Sequence, residues 1–146
     1  MAAELLRREF TVEAPIASAW AELADIADWP RWAPHIRRVT LEPPGQIGPA
    51  SALSFSFRPV GHSRFRVSSY DEGRGWEWIG PVLWVTIRYD HRFAATVEGT
   101  RLTWTVAEDG TRRSLRGRLF ASIYGRLVDR AIPRLQAEMK STDRGA

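Results

Sequence analysis

SLRGRLFASIYGRLVDRAIPRLQAEMK, Ser114 to Lys140, is the stretch that decides the fold. Its apolar residues are Leu115, Leu119, Phe120, Ile123, Leu127, Val128, Ala131, Ile132, Leu135 and Met139. They recur in steps of three and four, the spacing of a helix with one buried face. Such a helix spans about 40 Å. Nearly everything from Val39 to Val106 alternates as strand instead. A run of strands closed by one long helix predicts a sheet wrapped around that helix. Two details complicate it. Pro133 lies inside, where its ring removes a hydrogen bond and crowds the preceding turn. At about 100° per residue, Leu119, Ile123 and Leu127 share a direction that Leu135 and Met139 miss by roughly 100°. The spacing therefore predicts a bend or unwinding near Asp129–Pro133, with Leu119, Ile123 and Leu127 facing the strands. Gly117 and Gly125 are poor helix formers. Either they allow a close approach, or Gly117 precedes the helix.

Working back along the chain, Glu4–Glu13 alternates loosely and reads as a first strand. Pro15 suits the start of a helix, and Ile16, Ala19, Trp20 and Leu23 carry it to Ala24 at helical spacing. DIADWPRWAP, Asp25–Pro34, leaves room for a brief second helix or a turn. Strands follow at His35–Glu42, Ala50–Arg58, Arg64–Asp71, Gly75–Gly80, Leu83–Val97 and Arg101–Ala107, each bounded by Gly or Pro punctuation. Alternation puts Leu53, Phe55 and Phe57 on one face, and likewise Trp76 with Trp78, then Tyr89, His91 and Phe93, then Leu102, Trp104 and Val106. A bulge in any strand would reverse its face.

The 146 residues predict one domain, 1–146, with a sizeable core. The composition is 44% hydrophobic and 26% charged, the balance of a globular chain. No run of 18 apolar residues predicts a transmembrane helix. Met1–Phe10 lacks an apolar signal core, and the chain has no cysteine, so the cytoplasm is the expected compartment. The net charge is +4, but the arginines are scattered apart from one denser run at Arg112, Arg113, Arg116 and Arg118. A phosphate-reading face needs clustering. No nucleic acid is expected as a partner, and weak attraction to an anionic membrane fits the charge better.

Three stretches together resemble the START-like or SRPBCC superfamily, which includes the polyketide cyclase/dehydrase-like and birch-pollen-allergen-type proteins. They are APIASAWAELADIADWPRWAP at Ala14–Pro34, HRFAATVEGTRLTW at His91–Trp104 with its Gly99-Thr100 turn, and the long terminal helix. The resemblance covers essentially the whole chain. It implies an α+β helix-grip fold: a curved seven-stranded antiparallel sheet gripping the C-terminal helix, with two short helices after the first strand. It also implies an elongated, largely apolar cavity between sheet and helix for a hydrophobic small molecule such as a lipid, a polyketide or an aromatic. Some members of the superfamily are cyclases or aromatases, and fold alone does not assign a reaction.

The residues expected to contact such a ligand are Phe55, Phe57, Trp76, Trp78, Tyr89, His91, Leu119, Ile123 and Leu127. The aromatic ones serve equally as plain core. His91 shares a face with Tyr89 and Phe93. There it can orient a ligand carbonyl, act as an acid or base, or simply be satisfied by a neighbour. His35 and His62 are expected at exposed positions. Three separated histidines make no zinc site, and GRG at Gly73–Gly75 lacks the helix of a phosphate loop. No metal and no cofactor are expected. The leading expectation is thus a binding module. The alternative is a polyketide cyclase/dehydratase-type enzyme using His91 or Tyr89. A third class, a protein-interaction domain, would expose an apolar patch around Trp29 and Trp32. A homodimer through the sheet edge or the helix is left open.

Overall fold

The computed structural model describes residues 2–82, 84–110 and 112–145, with side chains to residue 140. The strands are β1 (Ala2–Val12), β2 (Ile36–Glu42), β3 (Ala52–Phe57), β4 (His62–Asp71), β5 (Gly75–Val82), β6 (Val85–Thr96) and β7 (Gly99–Asp109). Between β1 and β2 lie helix α1 (Ile16–Ala24) and a 3-10 turn, Ile26–Arg31; helix α2 (Leu115–Gly145) ends the chain. The strands form one antiparallel sheet in the order β1-β7-β6-β5-β4-β3-β2. This is the expected helix-grip arrangement. Leu83, where the sixth strand was expected to begin, lies outside the described residues. No helix among the described residues is long and apolar enough to cross a membrane.

Register explains the inner face. His91 stands opposite both Trp76 and Trp104, and Tyr89 opposite both Trp78 and Val106. Residues directly opposite share a face, so each pair of facing positions adds to one aromatic belt. Register shifts at Glu4/Leu6, Ile36/Arg38 and Val67/Ser69 mark irregularities in β1, β2 and β4. The shift in β1 accounts for Leu5 and Leu6 both being half-buried, since an extra residue breaks strict alternation.

α2 corrects the sequence reading in two respects. It stays helical through Asp129–Pro133, so the predicted unwinding does not occur. Pro133 sits on the exposed side, where water can reach the Asp129 carbonyl that its missing N–H would have capped. The buried side is Gly117, Phe120, Tyr124, Val128, Ala131, Leu135 and Met139, one face in unbroken steps of three and four. Leu119 and Ile123 are 57% and 52% exposed and do not face the strands; Leu127 is half-buried beside them. The change of face predicted at Pro133 was an artefact of starting from the wrong stripe.

Both ends of α2 are tied to the sheet. The Glu108 carboxylate at the end of β7 accepts from the Ser114 backbone N–H (2.7 Å) and hydroxyl (3.0 Å), and the Gly117 N–H donates to the Ser114 hydroxyl oxygen at 3.0 Å. Ser114 therefore caps the helix, and Gly117 lies inside it. A Cβ at Gly117 would collide with Glu108 Oε1. Further on, α2 runs alongside β1 in the same direction. Arg8 pairs with Asp129, Gln136 donates to the Thr11 carbonyl, and Lys140 meets Glu13.

The corrected face is testable with one chemical change at two sites. Leu135→Ala should cost roughly 2–5 kcal/mol in urea unfolding, and Leu119→Ala no more than about 0.5 kcal/mol. The reverse ranking would show that α2 is rotated from the face described.

Candidate functional site

The space between sheet and α2 is filled chiefly by rings. Trp78 lies 4.5 Å from His91 and 5.6 Å from Phe55, ring centre to ring centre. Tyr89 lies 5.2 Å from Phe65 and 5.7 Å from Tyr124. From the 3-10 turn, Trp29 reaches in to 5.7 Å from His91. Its indole N–H donates to the Leu23 carbonyl at 3.0 Å, which fixes the turn against α1. Trp32 packs 5.1 Å from Trp29. Both are buried, so the exposed patch expected around Trp29 and Trp32 is not present.

This packing leaves two voids of about 30 and 20 Å³, each with room for roughly one water molecule. The elongated cavity implied by the resemblance is not open in this conformation. The larger void lies among Trp29, His35, Tyr89, His91, Trp104 and Tyr124, closed by Val128 and Ala131 of α2. The smaller lies among Phe55, Phe57, Phe65 and Trp78, and it shares Trp29, His35, Tyr89 and Tyr124 with the first. Those four side chains partition what would otherwise be one space.

Of the residues expected at a ligand, Phe55, Phe57, Trp78, Tyr89 and His91 line the voids. Trp76 is fully buried behind them, 5.3 Å from His91. Leu119 and Ile123 point away, and Leu127 borders neither void. His35 was expected to be exposed, yet it is 8% exposed. Just before β2, it turns inward to meet Tyr124 edge-on at 6.0 Å. Tyr124 was not singled out at all. Its signal was the spacing Phe120–Tyr124–Val128, hidden behind the larger aliphatic stripe.

The polar groups inside are neutral. Burial lowers His35 to about 4 and His91 to about 3; in His91 the Trp76 backbone opposes the shift without cancelling it. Burial raises the phenols of Tyr89 and Tyr124 above the ordinary tyrosine value. Nδ1 of His35 and Nδ1 of His91 are buried with no hydrogen-bond partner among the described residues. Leaving such an atom unsatisfied costs about 1–3 kcal/mol. The site thus presents an apolar, aromatic enclosure with two imidazole nitrogens and two phenols free to hydrogen-bond, and no buried charge.

These shifts fix the pH response. The unfolded chain takes up protons on both imidazoles near pH 6.5, whereas the folded chain resists until about pH 4 for His35 and pH 3 for His91. Acid therefore favours unfolding. The contribution is complete above about pH 6.5 and is lost as pH falls toward 4 and 3, on the order of 1 kcal/mol per histidine per pH unit. His35→Phe should flatten the fall in urea-unfolding free energy between pH 6.5 and 4. An unchanged slope would mean that His35 is accessible to solvent.

The fold and the site can be set beside known proteins. Ara h 8.0201 superposes with TM-score 0.71 at 12% identity, over 93% of this chain and 97% of that one. The di-domain ARO/CYC StfQ from the steffimycin biosynthetic pathway gives 0.75 at 14% identity, over 100% of this chain and 53% of that one. A START superfamily protein from Mycobacterium smegmatis gives 0.73 at 11% identity, over 96% and 99%. At these identities the likeness is one of fold. A sequence search of curated proteins gave no match. The family described as polyketide cyclase / dehydrase and lipid transport matches residues 5–140, nearly the whole of the sheet and helix just described, and the chain belongs to that family.

Proposed function

We propose that the chain binds a hydrophobic small molecule, a lipid, a polyketide or an aromatic, between the sheet and α2. One observation carries this reading: two unpartnered imidazole nitrogens border voids inside an otherwise apolar aromatic belt. A core built only for stability has no use for them, whereas a ligand bearing a hydroxyl or carbonyl would satisfy one or both. Phe55, Phe57, Trp78, Tyr89 and His91 are the proposed contacts, joined by His35 and Tyr124. Trp76 supports His91 from behind. Entry requires the partition of His35, Tyr89 and Tyr124 to shift so that the two voids become one.

Acid–base catalysis of the cyclase/dehydratase type has less support. A general base works best with a pKa near the operating pH. His35 and His91 lie far below neutrality and both tyrosines above it. These groups are suited to holding and orienting a carbonyl rather than to moving its protons.

Pyrenebutanol, a neutral aromatic probe that accepts tryptophan emission, tests the reading. Saturable quenching in the micromolar range is expected. Tyr124→Ala removes part of the partition; it should tighten pyrenebutanol binding several-fold while costing about 3 kcal/mol of stability. Quenching that fails to saturate in both proteins would mean that the belt is solid core.

A further inference from the structure

The larger interior void is not sealed by apolar groups alone. Leu6 and Arg8 of β1 line it from the inside, and the same two residues line a surface groove of about 380 Å³ between β1 and α2. Arg8 therefore stands in the wall between interior and groove. Its guanidinium meets Asp129 twice, Nε to Oδ1 at 2.6 Å and Nη2 to Oδ2 at 3.1 Å. Gly125 permits this approach: a Cβ there would stand 3.3 Å from both Arg8 Nη2 and Leu6 Cδ1. The groove itself carries Arg113, Arg118 and Arg126 with Ser122. None of those three arginines is paired with a carboxylate among the described residues. Asp129 is the one acidic side chain in the groove, and Arg8 already holds it.

An apolar enclosure and a cationic groove share one wall, and the chemistry that fits both halves is amphiphilic. The geometry points to a ligand with an apolar body and an anionic head, carboxylate or phosphate, that enters between β1 and α2 with its body in the belt and its head on Arg113, Arg118 and Arg126. Guanidinium forks match either head group in a two-point contact. The Arg8–Asp129 pair is the latch of this passage. An incoming anion competes with Asp129 for Arg8, so the head group that is recognised also loosens the closure. The inference rests on the proposed binding function and adds to it the ligand class and the portal.

Pyrenebutyrate and pyrenebutanol differ in the head alone and separate the two readings. The acid should bind the wild-type protein about tenfold more tightly than the alcohol. The triple variant Arg113→Glu, Arg118→Glu, Arg126→Glu, altered only at exposed positions, should remove that advantage and leave the alcohol's affinity in place. On the unaltered protein, raising salt to about 0.5 M should weaken the acid and not the alcohol. Asp129→Asn, which frees Arg8, should speed association of the acid. Equal binding of acid and alcohol, indifferent to salt and to charge reversal, would overturn the head-group and portal assignment while leaving the binding function standing. Absence of saturable binding by either probe would overturn both.

Discussion

A sheet whose inner face carries Phe55, Phe65, Trp76, Trp78, Tyr89 and Phe93 can be buried only by a partner that is apolar along its whole length, and α2 is that partner. Seven positions from Gly117 to Met139 keep one face toward the sheet across about six turns. The rest of the architecture serves this contact. Glu108 and Ser114 fix where the helix begins, and glycine at 117 is required because the carboxylate occupies the place of a side chain. The β1 edge fixes its direction through Arg8, Thr11 and Glu13. At the other end of the sheet, the Thr100 hydroxyl donates to the Ala14 carbonyl at 2.8 Å and ties the turn before β7 to the start of α1.

That contact is filled by the protein's own rings, and this bears on what can enter. Each ring pair contributes about 0.5–1.5 kcal/mol beyond its area. A ligand that separates several pairs must replace those contacts in kind, which favours aromatic or extended apolar bodies over compact polar ones. The interior polar groups act in the same direction. Neutral imidazoles and phenols accept or donate single hydrogen bonds without the desolvation cost of a buried charge, so they select for orientation rather than for charge. Charge selection falls to the exterior, on the arginine side of β1.

The topology was legible in the sequence because alternation in Leu53–Phe57, Trp76–Trp78 and Val85–Phe93 is a period-two signal that only a half-buried strand explains. The site was legible in part. Phe55, Phe57, Trp78, Tyr89 and His91 follow from that alternation once the face is chosen. The helix side did not follow. Leu119 and Ile123 are more hydrophobic than Gly117 or Tyr124, so a reading weighted by hydrophobicity picks the exposed stripe. Both stripes have the same period and differ only in phase, which tertiary contact alone sets. His35 was lost for a related reason. Beside Pro34 and before a strand it looks like a loop residue, and nothing local announces that Phe57 and Tyr124 close over it.

Six of the seven tryptophans form one chain of ring contacts. Trp20 touches Trp76 at 5.2 Å, Trp76 touches Trp78 at 6.3 Å, Trp78 touches Trp29 at 5.5 Å, and Trp29 joins Trp32 and Trp104 at 5.1 and 6.3 Å. At such separations excitation passes between indoles faster than it is emitted. The belt is optically a single chromophore, with Trp84 apart from it, 86% exposed on the β5–β6 turn beneath Arg116. A quencher that reaches any one member drains all six, so the emission of this protein divides into a blue component owned by the interior and a red one owned by a single surface ring.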